Sequence, residues 1–401
     1  MAVVDKAGPR KDARSFSEIV NDERYRSVFY QVIVAIAVIW TANYLITNTA
    51  ENLEARGMSA GFGFLGSTAG FSIAWSIIDY APGDTYLDVY LVGIANTLIV
   101  SFFAIIATTF LGFIVGVMRL SKNFLVSKLA SAFVEVMRNV PLLLHIIFWF
   151  TLSAALPSPR DKENQIALFD SVFLNNRGLY VPAPVPGEGF QFVVIMALVG
   201  IVAAYAVAVW ATKRQFATGQ KFPAFWTGVG LIVGLPLATF VALGAPLTFD
   251  YPSLQGFNFR GGADVPRAFC ALLFALVLYH TVFMAEAVRA GILSVSHGQT
   301  EASYSLGLKP SWTLRLVVIP QAMRAVVPPM ISNWMNVVKN SSLAIAIGYP
   351  DLVAVFMQTS LNQSGHAIEI VAMVMLFYMT VSLTISAALN YYNKIVQIKE
   401  R

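Results

Sequence analysis

Apolar runs of about 20 residues recur along this chain and constrain its fold more than any other feature. A run of that length can cross a hydrocarbon core of roughly 30 Å as a helix. Eight can be placed, at about 28–47, 92–118, 129–157, 190–210, 222–244, 267–288, 326–357 and 366–392. Lipid offers the backbone no hydrogen-bond partners, so such segments satisfy themselves as helices. Composition agrees: 57% of the 401 residues are hydrophobic and 12% are charged, against about 25% charged in a soluble domain. The expected class is an all-α polytopic membrane protein.

The seventh run is the least regular. Lys339-Asn340-Ser341-Ser342 and then Gly348-Tyr349-Pro350 interrupt it, which predicts a bend or break. A break at membrane depth is tolerated only where backbone is buried in protein or lines a wet cavity. Residues 57–82 are too Gly-rich for a span. They predict a short interfacial helix with Trp75 and Tyr80 at the headgroup level. Residues 1–27 mix both charge signs and read as a cytoplasmic tail before a retained first span, not a secretory signal.

Charge asymmetry orients the spans. With the N-terminus in the cytoplasm, stretches 1–27, 119–128, 211–221, 289–325 and 393–401 hold 19 Lys and Arg. The outside stretches 48–91, 158–189 and 245–266 hold 5. That imbalance predicts an even number of spans with both termini inside. The net charge of +5 then reflects loop topology and implies no nucleic-acid partner.

The chain lacks a GxxxxGK[ST] phosphate loop, an HExxH and a CxxC. Its four histidines are scattered and Cys270 is its only cysteine, so no metal site and no intrachain disulfide are expected. An energy source must be an ion gradient or another subunit.

The segment His297–Pro329 is polar and punctuated. Residues 298–306 can form a short helix, and Gly307 stands where a left-handed residue would stop it. Pro310 suits the first turn of a second helix, and Pro320 is expected to kink or end that helix. The result is a helix–turn–helix elbow. Composition alone favours a plainer reading, a solvated amphipathic loop lying on the membrane.

Its motif favours a specific reading. Glu301-Ala302-Ser303 with Gly307, then nine residues, then Val317, Ile319 and Pro320, resembles the EAA motif of binding-protein-dependent ABC transporter permeases, E-A-A-x-x-x-G followed by I-x-L-P. Ser303 replaces the second Ala. Pro320-Gln321-Ala322 with Arg324 and Pro328-Pro329 resembles the PQAxR…PP stretch of the polar amino-acid group. Ala285-Glu286 with Arg289, Gly291-Ile292 and Gly298-Gln299 resembles its AE…RGGI…GQ. Asn96-Thr97-Leu98 resembles its NTL. Arg138-Asn139-Val140-Pro141-Leu142-Leu143 resembles its RGTPLL, departing at Asn139 and Val140.

The resemblance implies a type I ABC importer permease core of five spans over 92–392. One extra span precedes the core, in 28–91, and two are inserted within about 158–265. Overall, length and span number look most like the larger permease of general L-amino-acid transporters. A coupling loop at about 295–325 would then dock on an ATPase through Glu301, Ala302, Ser303, Gly307, Leu308 and Pro320. Implied partners are two ABC ATPase subunits, a second permease subunit and a periplasmic amino-acid-binding protein in a bacterial inner membrane. The chain itself would bind no cofactor, and ATP-Mg would sit on the ATPases.

Ionisable residues within spans are candidates for the substrate path. Lys339 with Asn340 and Ser341 is one group; Glu286, Arg289 and Arg138 are others. Each has a plainer reading. Glu286 and Arg289 are three apart and can pair on one helix face, Arg138 can snorkel to the interface, and Lys339 can line a subunit contact. An ion-coupled secondary transporter is the competing function. It suits a broken span, but such folds often show two related halves, which this sequence does not. A membrane-embedded enzyme ranks below both for want of a catalytic constellation.

Overall fold

The computed structural model describes residues 23–55, 61–161 and 163–396. The tails expected at 1–22 and 397–401 lie outside the described residues. Helix α1 (Glu23–Ala55) comes first, and every one of its described side chains is exposed. The loop after it holds a 3-10 turn, Phe62–Gly66, and is otherwise irregular, where a short interfacial helix was expected. The reason is tertiary. Trp75 donates its ring N–H to the Asp264 carbonyl at 3.0 Å and packs on Phe269 and Tyr349. Tyr80 donates to the Phe71 carbonyl at 2.9 Å.

Thr85 then starts the second long helix, α2 (Tyr86–Arg119), six residues earlier than the apolar run suggests. Its side chain accepts from Asp88 N–H at 3.3 Å, and the Asp88 carboxylate accepts from Thr85 N–H at 2.9 Å, a reciprocal cap.

The third run is not one straight helix. It is α3 (Phe124–Arg138) and α4 (Leu142–Ser153), bent by 101°. Pro141 lacks an N–H and pushes Val140 out of helical backbone, and Asn139 spends its amide on the Glu135 carbonyl at 2.7 Å. The insert supplies α5 (Phe190–Thr218) and α6 (Ala224–Ala242), which pack on each other. Next comes α7 (Arg267–Leu293), the most buried of the long helices. After the elbow, α10 (Ile319–Asn340) continues into a 3-10 segment, Ser341–Ile347, and Gly348 turns the chain at φ +71°. The expected seventh span therefore ends about ten residues early. Residues 353–364 form a separate helical piece, ending in α11 (Leu361–Ser364), before α12 (Ala367–Val396). Among the described residues seven helices are long and apolar enough to span a membrane, and the bent pair makes an eighth.

The loops flanking the insert carry short strands. These are β1 (Ile166–Leu168), β2 (Val172–Asn175), β3 (Gly178–Val181), β4 (Ala183–Pro186), β5 (Leu247–Asp250), β6 (Ser253–Gln255), β7 (Asn258–Arg260) and β8 (Ala263–Pro266). They pair antiparallel as β1-β2-β3-β8, β4-β5 and β6-β7, with Tyr180 opposite Asp264. This pairing puts 166–186 and 247–266 on one face of the bundle, and Trp75 adds the 61–85 loop to it. Since α2 leaves that face and α4 returns to it, the bent pair is one broken crossing. Cysteines placed near Asp170 and Asp250 should therefore react with an impermeant maleimide in intact cells, and one at Lys309 should not. Labelling at Lys309 would reverse the topology.

Candidate functional site: an elbow and a helix-lined cavity

The elbow forms as its residues dictate. Helix α8 (His297–Ser305) ends with Gly307 at φ +79°. Gly307 N–H donates to the Tyr304 carbonyl at 2.9 Å and Leu308 N–H to the Ser303 carbonyl at 3.2 Å. Those two bonds are the Schellman closure. Pro310 then opens α9 (Pro310–Thr313) at its first turn. The Ser303 hydroxyl meets the Thr313 hydroxyl at 2.8 Å, both buried, and ties the two helices together. Ser303 thus faces inward, away from any docking surface. Pro320 does not end a helix. It is exposed in the first turn of α10, and the chain stays helical from Pro310 to Asn340 through a wide π segment, Leu314–Val318.

The elbow's free face carries large apolar side chains among charged ones, Glu301, Lys309 and Arg315. Tyr304, Leu306, Trp312, Leu314 and Leu316 are all exposed, Leu306 at 81%. Glu301 and Ala302 lie among them, Leu308 is half-buried, and among the described residues the Glu301 carboxylate bonds only His297, at 3.0 Å.

A cavity of about 800 Å³ runs along α7 toward the elbow, between α3 and α10. Arg138, His280, Glu286, Asn333, Asn336 and Asn340 supply its polar lining. Three of these were candidates from sequence: Arg138, Glu286 and Asn340. Glu286 is clamped by Arg119 and by Arg289, the latter at 2.6 Å. Arg289 thus acts on the cavity through Glu286, and Arg119 completes the clamp across helices. Arg138 has no carboxylate within ion-pair distance among the described residues. Lys339 is exposed and Ser341 is buried, its hydroxyl on the Val338 carbonyl; neither lines the cavity.

Sequence reasoning missed His280, Asn333 and Asn336. His280 Nδ1 lies 2.8 Å from Asn333 Oδ1, and its Nε2 lies 3.1 Å from Asn340 Nδ2. Nδ1–H can donate to the Asn333 carbonyl oxygen, and the other ring nitrogen meets the Asn340 amide. Asn333 Nδ2 returns a bond to the His280 carbonyl at 3.2 Å. The arrangement is a fixed row of amide groups ending near one clamped acid and one unpaired cation. It can hold a small zwitterion by hydrogen bonds.

A multi-pass membrane protein with a helix-lined cavity and an exposed helical elbow is the class this describes. The chain belongs to the binding-protein-dependent transport system inner membrane component family, whose profile matches residues 210–396. It is 46% identical over 388 residues to the general L-amino acid transport system permease protein AapQ of Rhizobium johnstonii, covering 96% of each chain. It is 45% identical to the putative amino-acid ABC transporter permease protein YhdX of Escherichia coli, covering 94% of this chain and 95% of that one. BztB of Rhodobacter capsulatus, a glutamate/glutamine/aspartate/asparagine transport system permease protein, is 39% identical over 98% of this chain and 99% of its own. The family resemblance read from the EAA-type motif is therefore shown, and the chain is a permease subunit of an ABC importer in the inner membrane.

Proposed function

We propose that this chain forms the translocation path of an importer for polar L-amino acids and couples that path to ATP hydrolysis by two separate ATPase subunits. The observation that carries the reading is the elbow, a rigid turn presenting exposed apolar side chains around Glu301 and Ala302. In this reading Glu301, Ala302, Gly307, Leu308 and Pro320 form or shape the docking element, and Ser303 holds it together. ATP-Mg is held by the ATPases and this chain binds no cofactor. Arg138, Glu286 and the His280–Asn333–Asn340 row line the substrate path, and Arg289 positions Glu286. A second permease subunit completes the pore, and a periplasmic binding protein delivers the amino acid. Both termini and the elbow face the cytoplasm.

Purification from its native host at native expression tests this. An ATPase chain and a second permease chain should accompany it, and uptake in proteoliposomes should require ATP. Purification alone, with amino-acid uptake driven by an ion gradient, would make it a secondary transporter instead.

A further inference from the structure

A second cavity, of about 410 Å³, lies on the sheet face of the bundle. Trp75, Phe150, Asn176, Arg177, Arg267 and Gly348 are in its wall. Two cations meet there from distant parts of the chain. Arg177 belongs to the tight β2–β3 hairpin of the insert, and Arg267 is the first residue of α7. Their backbones are joined: Arg267 N–H donates to the Arg177 carbonyl at 2.9 Å, beside the Gly178–Pro266 pair of β3 and β8. The sheet thus folds the insert back on the core and sets both side chains at one cavity.

Neither guanidinium is neutralised. Among the described residues no carboxylate lies within ion-pair distance of either. The Arg267 guanidinium lies over the Phe150 ring, 4.2 Å from its centroid, which fixes the plane without using its N–H donors. The neighbouring acid, Asp264, has its carboxyl pushed up by burial. One cation from the insert's hairpin and one from the start of α7 thus meet, without a carboxylate partner among the described residues, in a recess beside an amide and an indole.

The recess also adjoins the broken span. Ile347, Gly348 and Pro350 line it, whereas Asn340 lines the cavity along α7. Between them runs the 3-10 segment Ser341–Ile347, packed in a buried apolar cluster with Leu272, Leu276 and Val337. Two cavities with polar groups in otherwise apolar walls therefore adjoin the two ends of one buried apolar segment.

We propose that the sheet-face cavity binds the carboxylate group of the transported solute before it reaches the α7–α10 cavity. This rests on the permease reading above and gives the insert a part in solute capture. Two guanidiniums supply planar, charge-assisted donors for one carboxylate. The same chemistry could come from an acidic side chain on a binding protein, so the test separates the two sources.

The test uses the purified complex with its partner subunits. Trp75 emission, isolated by comparison with W75F, is followed during titration with L-glutamine and L-alanine, each against its α-amide. A saturable change with the acids and none with the amides is expected. R177Q and R267Q should each weaken it by about tenfold, the order for losing one charge-assisted bond. R177K, which keeps the charge, should weaken it less. Complex yield and detergent melting temperature report on folding, and R177Q should match the wild type in both. Equal responses to acid and amide, or no effect of R177Q, would overturn the proposal. So would a response that appears only with solute-free binding protein, which would assign the arginines to a protein carboxylate. Uptake of labelled L-glutamine is measured alongside. Uptake without a vestibule response rejects this site alone, and no uptake of any amino acid by the wild-type complex rejects the permease reading itself.

Discussion

Gly307→Val should abolish amino-acid uptake while the protein remains inserted and abundant. A Cβ at Gly307 would meet nothing within 4 Å, so steric contact is not the objection. The backbone is: φ is +79°, and left-handed backbone costs a residue bearing a Cβ on the order of 1–2 kcal/mol. A β-branched side chain is the worst case. The strain falls on the two bonds that close the turn, from Gly307 to Tyr304 and from Leu308 to Ser303. The long helices do not depend on that turn and should fold regardless. The direction in which α8 presents Tyr304 and Leu306 does depend on it. Glu301→Lys should give the same phenotype by another route. Its side chain is exposed and among the described residues bonds only His297, so reversing its charge acts on whatever docks there. In both variants the ATPase should dissociate or hydrolyse without transport. Normal uptake and normal ATPase co-purification would return the elbow to a solvated loop.

What could be read from sequence divides along local and non-local chemistry. The elbow was legible because Gly307 and Pro310 act within a turn of themselves. The break near Asn340 was legible for the same reason. Pro141 carried the signal for the α3–α4 bend, but the surrounding run is so apolar that length suggested one helix. The eight strands were not legible. They are short, and β3 finds β8 across the whole insert, so no local pattern marks either. In the cavity, sequence favoured charge. Lys339 is the only Lys in its run, yet it is exposed at the end of α10. The useful signal was uncharged: Asn333, Asn336 and Asn340 fall at i, i+3 and i+7, one face of a helix. His280 had no such companions in its own run, since its partners come from α10. The helix contacts followed a similar rule. Gly112 and Gly116 form a small-xxx-small spacing that marks close helix approach, and it went unread among so many apolar residues.

That pair of glycines sets the strongest expected effect on the fold. Helices α2 and α7 pack more extensively than any other two elements. A Cβ at Gly112 would sit 2.4 Å from Met284 Cβ, and one at Gly116 would sit 2.8 Å from the Ala285 carbonyl oxygen and from Val288 Cβ. These atoms are backbone or fixed to it, so a rotamer change cannot clear them. The helices would have to separate. That separation would open the contact carrying Arg119 on Glu286 and disturb the wall of the α7–α10 cavity. Gly112→Val and Gly116→Val should therefore cut the amount of protein in the membrane severely, and the remainder should not transport. Gly230 and Gly234 of α6 provide the control. They are exposed, and an added Cβ at either would meet nothing within 4 Å. Glycine is also a poor helix former, so Gly230→Leu should leave abundance at or above the wild-type level. Immunoblotting of membranes and detergent melting curves for the variants would measure the contrast. Equal abundance of Gly116→Val and Gly230→Leu would mean that α2 and α7 do not approach each other as closely as this structure places them.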